Sequence, residues 1–357
     1  MKTTDLVDVG NQSNWEDITK SDFHGHQKQN ESNHTIVTVT KSLWLYGGIT
    51  LVLLGLLGNI FSIIVLSRKR LRKSSWSLYL TVLAVSDIII LITTSLDWWF
   101  QTLTGKFFGD LSEPGCKIEA FATYFSTHYA AWIMAAVAGE RIIFIYFPHH
   151  AKRLCTRTVA RTTCGILGLI FTLCNLHFFW TIGIVCDGAF CYCYFIISFP
   201  EWSKIDLILS SVLPFFLIAI CNALFIKRMM SLYSGPNTSR ARRLKSTIVM
   251  MMSITIAFIF LTLPVAILIV IADSSSTYYQ DTDPEINTAF SVAMFLHQFN
   301  SVINFGLYFL TNERFKNEVK CMLGLKITHL SRQSRLSYST LSSFLRKRNS
   351  VVDMEAL

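Results

Sequence analysis

Charge is scarce in this chain. Asp, Glu, Lys and Arg make up 15% of its 357 residues, against about 25% in ordinary soluble domains. Such a chain has too little charge to clothe a globular surface, which excludes an ordinary soluble domain. The sequence also lacks an internal repeat, a second domain and any His-Glu-X-X-His stretch, so a zinc hydrolase has no metal motif here. Met1–Gly10 has no apolar core, so no cleavable leader is expected. What the chain does have is apolar residues, 52% of the total, gathered in long blocks rather than in alternating or heptad patterns.

A helix needs about 20 mostly apolar residues to cross a bilayer. Blocks of that length fall at 43–66, 76–100, 117–146, 159–183, 199–230, 247–272 and 286–310, with polar interruptions in the second and seventh. The expected fold is therefore an all-α membrane protein, a bundle of seven crossings. The net charge of +9 could suggest nucleic-acid binding, but its placement argues for membrane orientation instead. Of the 32 Lys and Arg, 25 fall in 68–73, 141–161, 227–245 and beyond 311, on one side of the proposed membrane, and seven on the other. Cytoplasmic loops retain the basic excess, so the N-terminus is expected outside, with no nucleic acid among the partners. The plasma membrane is the default destination, with the first crossing acting as signal anchor.

Three segments follow. Residues 1–41 are polar and acidic, an expected extracellular disordered tail with Asn-X-Ser/Thr acceptors at Asn11, Asn30 and Asn33. The bundle occupies 42–323. Within it, 312–323 mixes Glu313, Arg314, Lys316, Glu318 and Lys320 with Phe315, Val319, Met322 and Leu323. That pattern suits a short amphipathic helix on the membrane surface. Residues 324–357 are Ser-rich and basic, an expected disordered cytoplasmic tail. Cys321, near the end of the surface helix, is a candidate for palmitate.

Inside the bundle, Asp87 lies mid-membrane, where an ionised carboxylate is expensive and usually functional. Asn59, Asn300, Ser301 and Asn304 complete an expected polar cluster with it. The bland alternative is a protonated Asp87 bonded to Asn59 or Asn304. Glu140 and Arg141 fall at an inner helix end, where long charged side chains reach the interface.

An ordered set of residues then carries a family resemblance. Gly58-Asn59, Leu83-Ala84-Val85-Ser86-Asp87, Cys116, Glu140-Arg141, Pro148, Pro214, Pro264 and Asn304-Phe305-Gly306-Leu307-Tyr308 follow one another, with Arg141 25 residues after Cys116. Over about 43–323 this resembles the rhodopsin-like (class A) G-protein-coupled receptors. The Asn-Phe-X-Leu-Tyr ending is similar to invertebrate neuropeptide receptors of the FMRFamide-receptor-like group. The resemblance implies an activation switch of Glu140, Arg141, Phe258, Pro264, Asn304 and Tyr308, with a local Glu140–Arg141 ion pair that breaks on opening. It implies a disulfide from Cys116 to Cys191 or Cys193, with Cys186 leaving the choice open. It also implies a heterotrimeric G protein as partner, with a receptor kinase and arrestin acting on the tail, and a sodium ion near Asp87. Several positions depart from the pattern. Ala130 stands where a serine ligand for sodium is often found, Thr262 replaces the usual toggle Trp, Asn222 a Tyr, Ile142 a Tyr and Phe305 a Pro.

The ligand is approached by exclusion. Thr123 occupies the position where aminergic receptors carry Asp, and Gln298 the position where opsins carry Lys. On the outer side, 17 acids face seven bases, a field that steers cations. Asp97, Glu119 and Asp206 fall in the outer turns of three crossings and would pair a ligand cation. With Thr123, Tyr124, Thr127, Phe290 and Gln298 they form the candidate ligand site. A cationic peptide with aromatic side chains fits best, and a small organic ligand is the runner-up. A transporter would show half-repeats, which an odd count of seven without half-symmetry does not, and an enzyme would show paired catalytic acids or a metal motif.

Overall fold

The computed structural model describes residues 37–325, except 189, 198–200, 233–238 and 275–283. The acceptors Asn11, Asn30 and Asn33 and the tail beyond residue 325 lie outside the described residues.

Eight helices carry the architecture. We number them α1 (Val37–Leu66), α2 (Ser75–Thr104), α3 (Glu113–Tyr146) and α4 (Arg157–Thr181). Next comes α5, which joins Trp202–Leu207, a widened turn Ile208–Val212 and Leu213–Leu232. It is followed by α6 (Ser239–Ser274), α7 (Pro284–Thr311) and α8 (Glu313–Met322). Six of them contain stretches long and apolar enough to cross a membrane. The helix α7 is also long enough, but its apolar run is interrupted by Ser291, His297, Gln298, Asn300, Ser301 and Asn304. Those polar residues are tolerated only on the side facing the other helices, and all six are half-buried or buried there, with Gln298, Ser301 and Asn304 almost sealed.

Side-chain caps fix several helix starts. Ser112 Oγ accepts from Gly115 N at 3.2 Å ahead of α3, and Thr156 Oγ1 accepts from Val159 N at 3.3 Å ahead of α4. Asn312 Oδ1 takes both Arg314 N and Phe315 N, at 3.0 and 3.2 Å, and so turns the chain sharply from α7 into α8. Caps of this kind satisfy N–H groups that a helix start leaves orphaned.

Three crossings contain a π-helical turn: Leu43–Gly48 in α1, Leu91–Ser95 in α2 and Ile208–Val212 in α5. A widened turn loosens the carbonyl ladder, and in two cases an indole takes the released oxygen. Trp99 Nε1 donates to Leu45 O at 3.1 Å, and Trp132 Nε1 to Leu209 O at 2.9 Å. The largest buried core fills the inner half, where Leu80, Leu83, Ile133, Phe258, Tyr308 and Phe315 meet.

The outer stretch between α4 and α5 contains a β-hairpin. Strands β1 (Ile182–Asp187) and β2 (Phe190–Phe195) pair antiparallel with Ile184 opposite Cys193, and Gly188 turns the chain at φ 60°. The fourth crossing accordingly ends at Thr181, two residues short of the expected 183.

Candidate functional site

At the outer end the hairpin is fastened over α3. Cys116 is joined to Cys193, and Cys186 to Cys191, so of the two partners open to Cys116 the structure takes Cys193. Two carboxylates add to this. Asp110 Oδ1 accepts from Cys193 N at 2.7 Å and Glu113 Oε2 from Ile184 N at 3.0 Å. Those N–H groups therefore point away from the partner strand, and the middle outward donor of each strand edge is occupied.

Beneath this lid lie the acids nominated from sequence. Asp97 is buried, and its Oδ1 accepts from Phe108 N at 2.6 Å. Its carboxyl group also contacts that of Glu119. Glu119 Oε1 is sealed from solvent without a hydrogen-bond partner. The backbone comes close here: a Cβ at Gly109 would lie 2.7 Å from Glu119 Oε2, so a larger residue would displace the Glu119 carboxyl.

Asp206 is engaged elsewhere. Its Oδ1 lies 3.0 Å from Nε2 of His128, a fully buried side chain on α3, while Asp206 keeps 20% of its side-chain surface exposed. The other ring nitrogen, Nδ1, meets Asn175 Nδ2 of α4 at 3.1 Å. The Asp206 contact is one of charge and distance, since His128 Nε2 makes no aligned hydrogen bond. One histidine thus links α3, α4 and α5.

The other ligand candidates divide. Tyr124 stacks on Phe178 with ring centroids 4.6 Å apart and packs edge-on against Trp202. Thr127 Oγ1 bonds the Thr123 carbonyl of its own helix at 2.8 Å, and buried Gln298 accepts from Ser95 Oγ at 3.3 Å. Phe290 is half-buried on α7. A separate outer cleft of about 450 Å³ is lined by Lys41, Trp44, Trp98, Gln101, Thr102 and Ser291 among others, and by none of the eight nominated residues.

Mid-membrane, the structure brings the polar residues together. Asn304 Nδ2 donates to Asp87 Oδ2 at 2.9 Å, and Ser301 also bonds Asp87. Asn59 Nδ2 spans Gly55 O and Ser301 O, at 2.9 and 2.8 Å. Asn300 is half-buried beside them in sequence, with the cluster contacts made by its neighbours.

At the inner end one expectation needs correction. Glu140 Oε1 accepts from Ser75 Oγ of α2 at 2.6 Å, and among the described residues no ion pair joins it to Arg141. The short, favourable serine contact holds the carboxylate on the α2 side. Nε and Nη2 of Arg141 are sealed from solvent with no hydrogen-bond partner. Nearby, Cys155 lies 3.7 Å from the Glu140 carbonyl, and burial, with the Glu140 charge adding to it, pushes its thiol up. Phe258 is buried, with its carbonyl taken by Thr262 Oγ1 at 2.7 Å, and Pro264 sits inside α6. Tyr308 is buried against Phe315 of α8, centroids 5.7 Å apart. Glu318 of α8 holds Arg68 at 3.2 Å and Arg70 at 3.1 Å, and Cys321 is exposed.

The model of the family "7 transmembrane receptor (rhodopsin family)" matches residues 58–308. The chain belongs to that family. It is a receptor, a multi-pass membrane protein and not an enzyme. It is 27% identical to the FMRFamide receptor of Drosophila melanogaster over 74% of this chain and 50% of that receptor. It is 22% identical to human cysteinyl leukotriene receptor 2, over 82% of this chain and 85% of that one. With the B1 bradykinin receptor of Tupaia minor it shares 26% identity over 47% of this chain and 48% of the other. The chain thus matches only half the length of the FMRFamide receptor.

Sequence reasoning missed two histidines inside the crossings, the buried His128 and the half-buried His297. An ionisable side chain inside a crossing is a site hypothesis by default, and both were visible on that ground. His297 on α7 lies within electrostatic reach of Asp206, and its Nδ1 is buried without a partner.

Proposed function

We propose that this receptor binds a cationic peptide with aromatic side chains at its outer end and passes the signal to a heterotrimeric G protein. The observation that carries the reading is the carboxyl pair of Asp97 and Glu119, with Glu119 Oε1 buried and unpaired. An arriving guanidinium or ammonium would balance the two neighbouring acids and satisfy that oxygen. Tyr124, Phe178 and Trp202 supply an aromatic wall, and Asp206 is a second acid beside His128. Relatives named for FMRFamide and bradykinin accord with a peptide, whereas those named for cysteinyl leukotrienes keep a small organic ligand as the second reading. On this reading the N-terminus is extracellular and carries sugar, and the receptor resides in the plasma membrane. Arrestin and a receptor kinase act on the cytoplasmic tail, and Cys321 carries palmitate.

The test is a peptide library with calcium and cyclic-AMP readouts, followed by Asp97→Asn, Glu119→Gln and Asp206→Asn. Removing one partner of a desolvated ion pair costs about 2–5 kcal/mol, roughly 30-fold or more in potency. That loss is expected for Glu119→Gln with an arginine-bearing agonist, and less of it when the arginine is replaced by citrulline. Equal potency in all three variants for every basic agonist overturns the cationic reading.

The Asp87 cluster also fits a sodium ion. One carboxylate among the neutral side chains of Ser301, Asn304 and Asn59 balances a single positive charge, and hard cations take oxygen ligands, so Asn304 would have to turn its amide oxygen toward the ion. Ala130 contributes none, so the donors would come from α1, α2 and α7.

A further inference from the structure

Arg141 presents a problem of charge balance. Two of its guanidinium nitrogens are sealed from solvent without a partner. Glu140, the acid beside it, is bonded to Ser75. Arg314 at the start of α8 adds like charge within electrostatic range. The Glu140 charge acts on it from beyond ion-pair distance, and a largely desolvated cation with so little compensation is destabilising.

The guanidinium borders a cavity of about 30 Å³ between α2, α3, α5 and α6. Its walls are mostly apolar, with Leu83, Val137, Ile218, Phe225 and Phe258, and Asn222 of α5 also lines it. One water needs about 10–15 Å³ of such space, so the cavity has room for two or three waters or one small ion. It excludes nucleotides, fatty acids and any organic carboxylate beyond the smallest. Apolar walls also disfavour a strongly hydrated divalent anion, whose desolvation they could not repay. A weakly hydrated monovalent ion, held by Arg141 and the Asn222 amide, meets both the size and the charge.

We propose that the Arg141–Asn222 cavity is a binding site for a small monovalent anion, chloride before bicarbonate, that neutralises Arg141 while the inner end of the bundle is closed. Any partner that engages Arg141 from the cytoplasm must expel this ion. Chloride then stabilises the resting receptor through its preferential binding to that state. The proposal is independent of which ligand binds outside.

The test uses the purified full-length receptor in detergent, without agonist, at one sodium concentration throughout. Its thermal midpoint is measured in chloride, bicarbonate and gluconate, the last being too large for the cavity. With about 150 mM chloride and a dissociation constant near 10 mM, the midpoint is expected to rise about 3 °C over gluconate. Bicarbonate should give a smaller rise, and a rise as large as chloride's would reassign the resident ion and overturn the order proposed. The chloride effect should vanish in Arg141→Met, shrink in Asn222→Leu and persist in Asp87→Asn, which separates it from sodium. If Arg141→Met fails to fold, Asn222→Leu decides. Equal midpoints in chloride and gluconate, or an undiminished chloride effect in Asn222→Leu, overturn the site. Bromide-soaked crystals should show anomalous density beside the Arg141 guanidinium, and density only elsewhere counts against it.

Discussion

Ser75 Oγ donates to Glu140 Oε1 at 2.6 Å, so the carboxylate next to Arg141 is restrained by α2. Hydrogen bonds to charged groups contribute about 1.5–3 kcal/mol. Ser75→Ala is expected to lower the thermal midpoint by several degrees and to leave surface topology intact. In a double-mutant cycle with Glu140→Ala the two losses should be markedly non-additive. Additive losses would show that the contact carries no energy of its own.

The two disulfides should differ in weight. Cys116–Cys193 closes a separation of 77 residues and Cys186–Cys191 one of 5. On loop-closure entropy these constrain the unfolded chain by roughly 4–5 and roughly 2 kcal/mol. Cys116→Ser should abolish surface expression, and the Cys186→Ser, Cys191→Ser pair should reduce it mildly. Unreduced peptide mapping should find Cys116 linked to Cys193; a Cys116–Cys191 peptide would refute the pairing.

Glu318 is nearly buried, with 6% of its side chain exposed, while Arg68 and Arg70 are 41% and 53% exposed. Exposed partners are screened by solvent, so each contact is worth at most about 1 kcal/mol. Glu318→Ala should therefore loosen the docking of α8 without unfolding the bundle. Hydrogen exchange is expected to rise about tenfold across 313–322 and to stay unchanged across α3. Equal protection in the variant would mean that Phe315 and Val319 hold α8 alone.

Asp87 and Asn304 form a direct contact, so exchanging them is informative. Asp87→Asn should abolish any sodium dependence of agonist affinity measured with the anion held fixed. The double exchange Asp87→Asn, Asn304→Asp rebuilds the hydrogen bond with its charge on α7, and should recover surface expression relative to either single variant. Sodium dependence that survives Asp87→Asn would remove the ion from this cluster.

Much of the fold was legible because a bilayer dictates it. Every crossing must be long, apolar and helical, so block lengths gave the number of spans. The Asp87 cluster was legible for the same reason, since so few polar residues occur at that depth. What stayed hidden depends on helix rotation. Spacing gives the phase of a side chain within its own helix, not the neighbour it meets. Thus Asp206 could be placed in an outer turn of α5 but not against His128, and Asp97 and Glu119 could be nominated separately but not as a pair. Glu140 followed the same logic, because Ser75 comes from another crossing. The hairpin carried a local signal, Phe-Cys-Tyr-Cys-Tyr-Phe after an Asp-Gly turn, rich in strand-forming side chains.

The occupied edges of that hairpin restrict how a peptide can be recognised. An unsatisfied strand edge invites a partner backbone to extend the sheet. Here Asp110 and Glu113 already hold the central outward N–H of each edge, much as inward-pointing charges blunt exposed edges elsewhere. A bound peptide would have to be selected by its side chains rather than by main-chain pairing. N-methylation along a ligand's backbone should then be tolerated far better than truncation of its side chains.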